Sequence, residues 1–247
     1  MNRIVIRASD VAAIIGRNQY KPRSEILNDM WKKYRPETFR GQTKNDKAVE
    51  ALGASVEAQR VLASAVSVRA KNSEEVQQVF ETARLAVSSD ANLTETQKTE
   101  VIEHLRSKVY TSHGTRSEAK TSDKVELEEG VRLVTDNTFY NIPLCTIGTN
   151  DFVITGRIDR IEVKPDGSRT LVEIKNRTNR LFRRVVDYEN IQVQVYLQML
   201  GLIHARLVEQ YNNQVLSHEI VRDEELWDNE VVPELENFCQ ELSECMA

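Results

Sequence analysis

Three side chains in the stretch G-R-I-D-R-I-E-V-K-P-D-G-S-R-T-L-V-E-I-K (156–175) have the types and spacing needed for metal-assisted hydrolysis: Asp159, Glu173 and Lys175. The stretch reads as two strands, 151–163 and 169–176, joined through Pro165-Asp166-Gly167, where proline presets φ and glycine accepts φ > 0. Strand side chains alternate, so Glu173 and Lys175 share one face with Leu171, while Val172 and Ile174 take the other. A loop over 164–168 pairs Val163 with Arg169 and sets Asp159 across from Glu173. Two facing carboxylates repel. A divalent cation between them, with a lysine on the same face, removes the conflict and supplies an activated water. The placement depends on register, because a one-residue slip sends the two acids to opposite faces.

A strand needs elements around it. Residues 125–138 are expected as a neighbouring strand, joined to 151–163 by a loop containing Pro143. A helix over 186–202 carries Ile191, Val195, Met199 and Leu202 toward the core, with Gln192 and Tyr196 four apart on one face. Gln194 and Gln198 read as a solvated helix face. Thr115-x-x-Glu118 has the form of a capping box that opens a helix and could aim Glu118 at the acids. Ser9 reads as the N-cap of a helix stopped at Gly16, and a second helix starts at Ser24. Free N–H groups at such an opening, with Arg7 beside it, attract anions. Residues 36–47 are polar and read as a linker, and 42–110 as a helical insertion in a single domain spanning 1–247. A hairpin turns at Asn212-Asn213, and an amphipathic helix carrying Val232, Leu235, Phe238 and Leu242 closes the chain.

Composition sets bounds. Hydrophobic and charged contents of 40% and 29% describe an ordinary globular protein. The three cysteines, Cys145, Cys239 and Cys245, lack paired spacing, which argues for a reducing compartment and against a zinc ribbon or an iron–sulfur cluster. No apolar run reaches the length of a membrane span, and the first residues have no signal-peptide core. The expectation is an intracellular, cytoplasmic protein, or one of the host cytoplasm or nucleus if viral. Net charge is −5, yet residues 157–184 hold nine basic side chains against four acids, a +5 strip on a −10 body. Arg157, Arg177 and Arg180 in that strip are candidate phosphate contacts.

These motifs resemble a known family. Ile158-Asp159 with Glu173-Ile174-Lys175 resembles the PD-(D/E)xK nuclease core. Within that superfamily, R-A-S-D-V-A-A-I-I-G-R-N-Q-Y, the G-x-x-x-E of Gly114–Glu118, and N-I-Q-V-Q-V-Y-L-Q-M-L resemble the lambda-type exonucleases, also called the viral recombinase or alkaline exonuclease group. The resemblance implies a restriction-endonuclease-like α/β core, a central mixed sheet flanked by helices. It implies Mg²⁺- or Mn²⁺-dependent hydrolysis of DNA with two ions, 5′→3′ from duplex ends, leaving 3′ single strands for recombination. Asp159, Glu173, Glu118 and the Ile174 carbonyl would be metal ligands. Lys175 and Gln192 would act on water and phosphate, with Ser9, Arg7, Arg157, Arg177, Arg180 and Tyr196 on the DNA. Partners would be a single-strand annealing recombinase and further copies of the chain, a ring trimer in the resembled family. Family members carry a longer segment with a tryptophan and an arginine ahead of the serine motif, a place Arg3 or Arg7 would take here. Two other readings stay open: a structure-specific endonuclease of the same fold, and a non-catalytic DNA-binding recombination accessory protein.

Overall fold

The computed structural model describes residues 2–247. In chain order, β1 (Asn2–Arg7) passes through a 3₁₀ turn (Ala8–Asp10) into the single-turn α1 (Val11–Ile14). Five helices follow: α2 (Arg23–Tyr34), α3 (Lys44–Gly53), α4 (Val56–Ser67), α5 (Ser73–Ser88) and α6 (Glu95–Glu129). Next come β2 (Leu133–Thr135), β3 (Tyr140–Ile147), β4 (Asn150–Gly156), β5 (Arg160–Val163) and β6 (Arg169–Asn176). The chain ends in α7 (Asp187–Leu200), β7 (His204–Tyr211), β8 (Gln214–Val221), a short α8 (Glu224–Leu226), a π turn (Trp227–Val231) and α9 (Val232–Met246).

Burial explains the layers. Ile4 and Ile6 on β1, and Phe152 and Ile154 on β4, alternate inward and pack with α1, α7 and α9 in the largest core. These strands form a three-stranded sheet in the order β1-β4-β3, with β1 and β4 parallel. The second sheet has the order β2-β5-β6-β7-β8, with β6 at its centre and parallel to β7. Both sheets are mixed and flanked by helices, as expected for a restriction-endonuclease-like core. The two faces of β6 are buried against different partners. Leu171 joins the main core, whereas Val172 and Ile174 pack with Val125 of α6 and with Leu133 and Val208. Helices α3 to α6 close over two smaller cores of their own, one around Phe80 and Leu105 and one around Val87 and Val101.

Several expectations need correction. The strand expected over 151–163 is two strands in different sheets, because the chain leaves β4 at Gly156 and enters the second sheet at Arg160. The segment expected as a strand over 125–138 is helical to Glu129 and contributes only β2, while the supposed loop containing Pro143 is β3. Pro143 is accommodated beside a register shift between Pro143 and Cys145. No helix opens at Thr115. The 35-residue α6 starts at Glu95, after Thr94, whose side chain and that of Gln97 form the capping box, and it runs straight through Gly114. The helical segment therefore extends past residue 110. Part of the expected linker is ordered by a capping box between Thr43 and Asp46 that opens α3. Ser9 caps nothing, since it lies inside the 3₁₀ turn. Gln194 is buried, donating to the Val221 carbonyl and accepting from the Asp223 amide. The register of the β5–β6 hairpin is the expected one, with Val163 opposite Arg169 and Gly167 at φ +84° in the turn.

Candidate active site

The site forms where the chain crosses between sheets. The β5–β6 ladder stops at Arg160 opposite Val172, so Asp159 is released from strand pairing while staying beside Glu173. Its Oδ2 accepts the Ile174 amide at 2.8 Å. Arg160 is buried beneath it, donating to the Asp159 carbonyl at 2.6 Å and to Ser122 Oγ of α6 at 3.0 Å. From the inner face of β6, Lys175 Nζ donates to Glu173 Oε1 at 2.9 Å and to Gln192 Oε1 of α7 at 3.0 Å. Gln192 Nε2 in turn donates to the Tyr196 hydroxyl at 3.0 Å. The α6 helix is tied to the end of β6 by Thr121 Oγ1, which donates to Asn176 Oδ1 at 2.6 Å, and by Asn176 Nδ2, which donates to the Gly114 carbonyl at 3.1 Å. This places Glu118 at the rim, close enough to feel Asp159 and Lys175.

The electrostatics describe three acids in conflict. Burial, then the charge of Asp159, pushes Glu173 up to about 8, and the same two causes push Glu118 up to about 7. Burial also raises Asp159 against the pull of the Ile174 amide and Lys175. Burial works against the charge on Lys175, but Glu173, Glu189 and Asp159 outweigh it and push Lys175 upward, so the ammonium keeps its proton at neutral pH. Glu173 Oε2 is buried with no hydrogen-bond partner among the described residues. An orphaned carboxylate oxygen among mutually repelling acids fits a hard divalent cation. Among the described residues no three His, Cys, Asp or Glu side chains close around an ion by themselves. Asp159 and Glu173, with Glu118 peripheral, are the carboxylates present here that would hold such an ion, a sparse set of the kind Mg²⁺ completes with water.

Residues 32–246 match the model of the PD-(D/E)XK nuclease superfamily. The chain belongs to that superfamily. It is thus a metal-dependent nuclease, of a group whose members generally use divalent ions. No curated protein matches it. Among solved structures it is similar to the alkaline exonuclease LHK-Exo from Laribacter hongkongensis, at 18% identity over 82% of this chain and 94% of that one, with a TM-score of 0.44. It is also similar to SSO0001, at 15% identity over 74% and 84% with a TM-score of 0.42, and to a phage related exonuclease from Haemophilus somnus 129PT, at 16% over 71% and 96% with a TM-score of 0.41.

Within this nuclease the structure sorts the remaining expected residues. Arg177 is not a free phosphate contact. It is buried, donates to both carboxylate oxygens of Glu189 at 2.5 and 2.8 Å, and lies under the Phe182 ring at 4.0 Å. Tyr196 is buried and turned into the site, so it packs the nuclease centre instead of reaching DNA. Arg157 and Arg180 are exposed, as a phosphate contact requires. Arg7 is exposed but donates to the buried Asp10 at 2.6 Å, and Lys21 reaches the same acid at 3.0 Å. Ser9 is exposed beside Ala8, which packs near Gly156 at the crossing.

Gly156 itself was missed by motif reasoning. A Cβ there would lie 2.5 Å from Tyr196 Cε1 and 3.0 Å from Ala8 Cβ, so this position admits no side chain. Glu189 and Glu209, the buried acids that hold Arg177 and the Phe182 amide, were missed too. The only local signal was an acid at 189 four residues before the apolar Val193 on α7.

Proposed function

We propose that the chain is a Mg²⁺- or Mn²⁺-dependent DNA exonuclease that degrades duplex ends 5′→3′ and leaves 3′ single strands for recombination or replication. The reading rests on one observation above the others. The Asp159, Glu173 and Lys175 constellation is joined by hydrogen bonds to Gln192, on the helix whose Q-V-Q-V-Y-L-Q-M segment resembles the lambda-type exonucleases. Asp159, Glu173, the Ile174 carbonyl and Glu118 would hold one or two ions, which when bound supply Lewis acidity and a water of lowered pKa.

The chain's own residues have separable tasks. Asp159 holds its carboxylate against the Ile174 amide and keeps the two strands in fixed relation. Lys175, protonated, acts as a charged donor to phosphate oxygen and attacking water, and not as their base. Gln192 fixes the Lys175 ammonium and is held by Tyr196 in turn. Arg157 and Arg180, exposed on either side of the acids in sequence, are suited to flanking phosphates, and Arg7 and Ser9 to the 5′ end. The helices of 42–110 would then wall the DNA path within one nuclease unit. The substrate partner is a duplex end. An annealing recombinase would take the 3′ strand, and a ring of copies would keep the enzyme on its track. The reaction belongs in the cell interior where such ends occur.

The test digests end-labelled duplexes bearing 5′-phosphate or 5′-hydroxyl groups alongside covalently closed circles. The reading expects mononucleotides from linear DNA, faster with a 5′-phosphate, a lag before release of a label at the 3′ end, and intact circles. Cutting of circles would make the enzyme an endonuclease, and no Mg²⁺-dependent cleavage of any DNA would make it an accessory protein.

A further inference from the structure

A groove of about 1040 Å³ opens between the loop after α1 and residues 180–187, at the amino-terminal end of α7. Tyr188 in this groove, Gln192 in the nuclease centre and Tyr196 behind it recur every four residues, so they lie along one face of α7. The groove therefore begins about one helical turn from Lys175.

One wall is basic and held from behind. Arg177 at its root is locked by Glu189, and the Phe182 amide donates to Glu209 Oε2 at 2.6 Å. The α5 helix adds three more hydrogen bonds: Ser73 Oγ to the Arg177 carbonyl at 2.8 Å, and Gln77 Nε2 to the Thr178 carbonyl and Asn179 Oδ1 at 2.6 and 2.8 Å. From this anchored base Arg180, Arg183 and Arg184 project outward, exposed and without an ion-pair partner among the described residues. Arg183 sits at φ +59°, a conformation that costs a non-glycine residue free energy and concentrates at functional sites. The one acid lining the groove, Asp187, is occupied by Arg17, which also pairs with Glu230.

The opposite wall offers an aromatic face. Tyr20 is 71% exposed, and its one ring partner among the described residues, Tyr188, meets it edge-on at 5.8 Å and 87°. Edge-on packing fixes the ring while leaving area for a second stacking partner. Inside a duplex the faces of the bases are covered, so such a ring stacks on an unpaired base or on the last pair of a blunt end.

Resting on the nuclease reading above, we propose that this groove binds a single-stranded stretch of nucleic acid beside the nuclease centre, with Tyr20 stacking on a base and Arg180, Arg183 and Arg184 taking successive phosphates. The helical segment thereby acquires a task, since Ser73 and Gln77 hold the arginine loop in place.

The test measures binding of a fluorescein-labelled deoxythymidine oligomer, and of a blunt duplex of equal length, by anisotropy in EDTA, where no cleavage occurs. Wild type is expected to bind the oligomer. Tyr20→Ala should weaken it on the order of tenfold to a hundredfold, and Tyr20→Phe should restore it. Replacing all three arginines with alanine should flatten the log Kd against log salt slope by about 2. Tyr20→Trp should add tryptophan emission that the oligomer quenches. All these side chains are exposed, and an unchanged melting curve checks each variant. Oligomer binding that is absent in wild type, or undiminished in both Tyr20→Ala and the triple variant, overturns the inference. So does equal, Tyr20-independent binding of the blunt duplex or of heparin, which would mark a general polyanion surface. Asp159→Ala, assayed separately for Mg²⁺-dependent cleavage, decides the nuclease reading: retained cleavage there sinks that assignment whatever the anisotropy shows.

Discussion

Asp159 Oδ2 accepts the Ile174 amide proton across the end of a ladder that has already stopped at Arg160. One carboxylate therefore both faces Glu173 and replaces a missing backbone acceptor. Two effects of opposite sign follow from removing it. Asp159→Ala relieves repulsion but orphans a buried amide, a loss of about 1–3 kcal/mol. Asp159→Asn keeps an acceptor and removes the charge. Both should abolish metal-dependent cleavage, while melting in EDTA at pH 8 should show Asn at or above wild type and Ala below Asn. Near wild-type cleavage by either variant would falsify the assignment.

Stability without metal should fall as pH rises. Glu173 and Glu118 have folded-state pKa values pushed up to about 8 and about 7, above the ordinary 4.5. Their stabilising contribution is complete below about pH 4.5 and is lost as pH climbs through 7 to 8. Lys175, shifted upward from 10.5, adds no slope in that window. Urea midpoints in EDTA should decline from pH 5.5 to 8.5, and Mg²⁺ should flatten the decline. A midpoint that rises with pH in EDTA would contradict the burial and repulsion described for these acids.

Lys175→Ala should lower the cleavage rate by about 10²–10³-fold, the scale of losing one charged donor at a transition state. Gln192→Ala should cost roughly tenfold, because it only fixes the ammonium. Calorimetric Mn²⁺ titration should show metal affinity changed little in either variant. A large loss of metal affinity in Lys175→Ala would place the lysine with the ligands instead of with the water and phosphate.

Gly156→Ala forces a methyl to within 2.5 Å of the Tyr196 ring. Overpacking of this kind costs about 1–3 kcal/mol and should displace Tyr196, and through it Gln192. Both melting temperature and cleavage rate should drop. Tyr196→Leu in the same chain should recover part of the stability and little of the rate, since the leucine has no hydroxyl for Gln192. Full recovery of both would mean that Tyr196 serves only to fill space.

Local chemistry was legible in the residues alone. The five-residue loop 164–168 set the register of β5 and β6, and a strand's period of two then placed Glu173 with Lys175. The spacing of four put Gln192 beside Tyr196, and Asn212 turned the final hairpin at φ +51°. Each of these is decided within a few residues by backbone geometry. What the tertiary structure decided lies farther apart in the chain. Nothing local tells residues 151–163 to divide between two sheets, because the break at 157–159 is stabilised by Arg160 reaching Ser122 on a distant helix. The helix through Gly114 overrides a weak local stop because its neighbours Leu105, Val109 and Val125 are buried on either side. Arg177 and Arg180 look alike in a basic run. Only the folded chain brings Glu189 and Glu209 to the first and leaves the second in water, since charge pairing over such separations is settled by packing and not by composition.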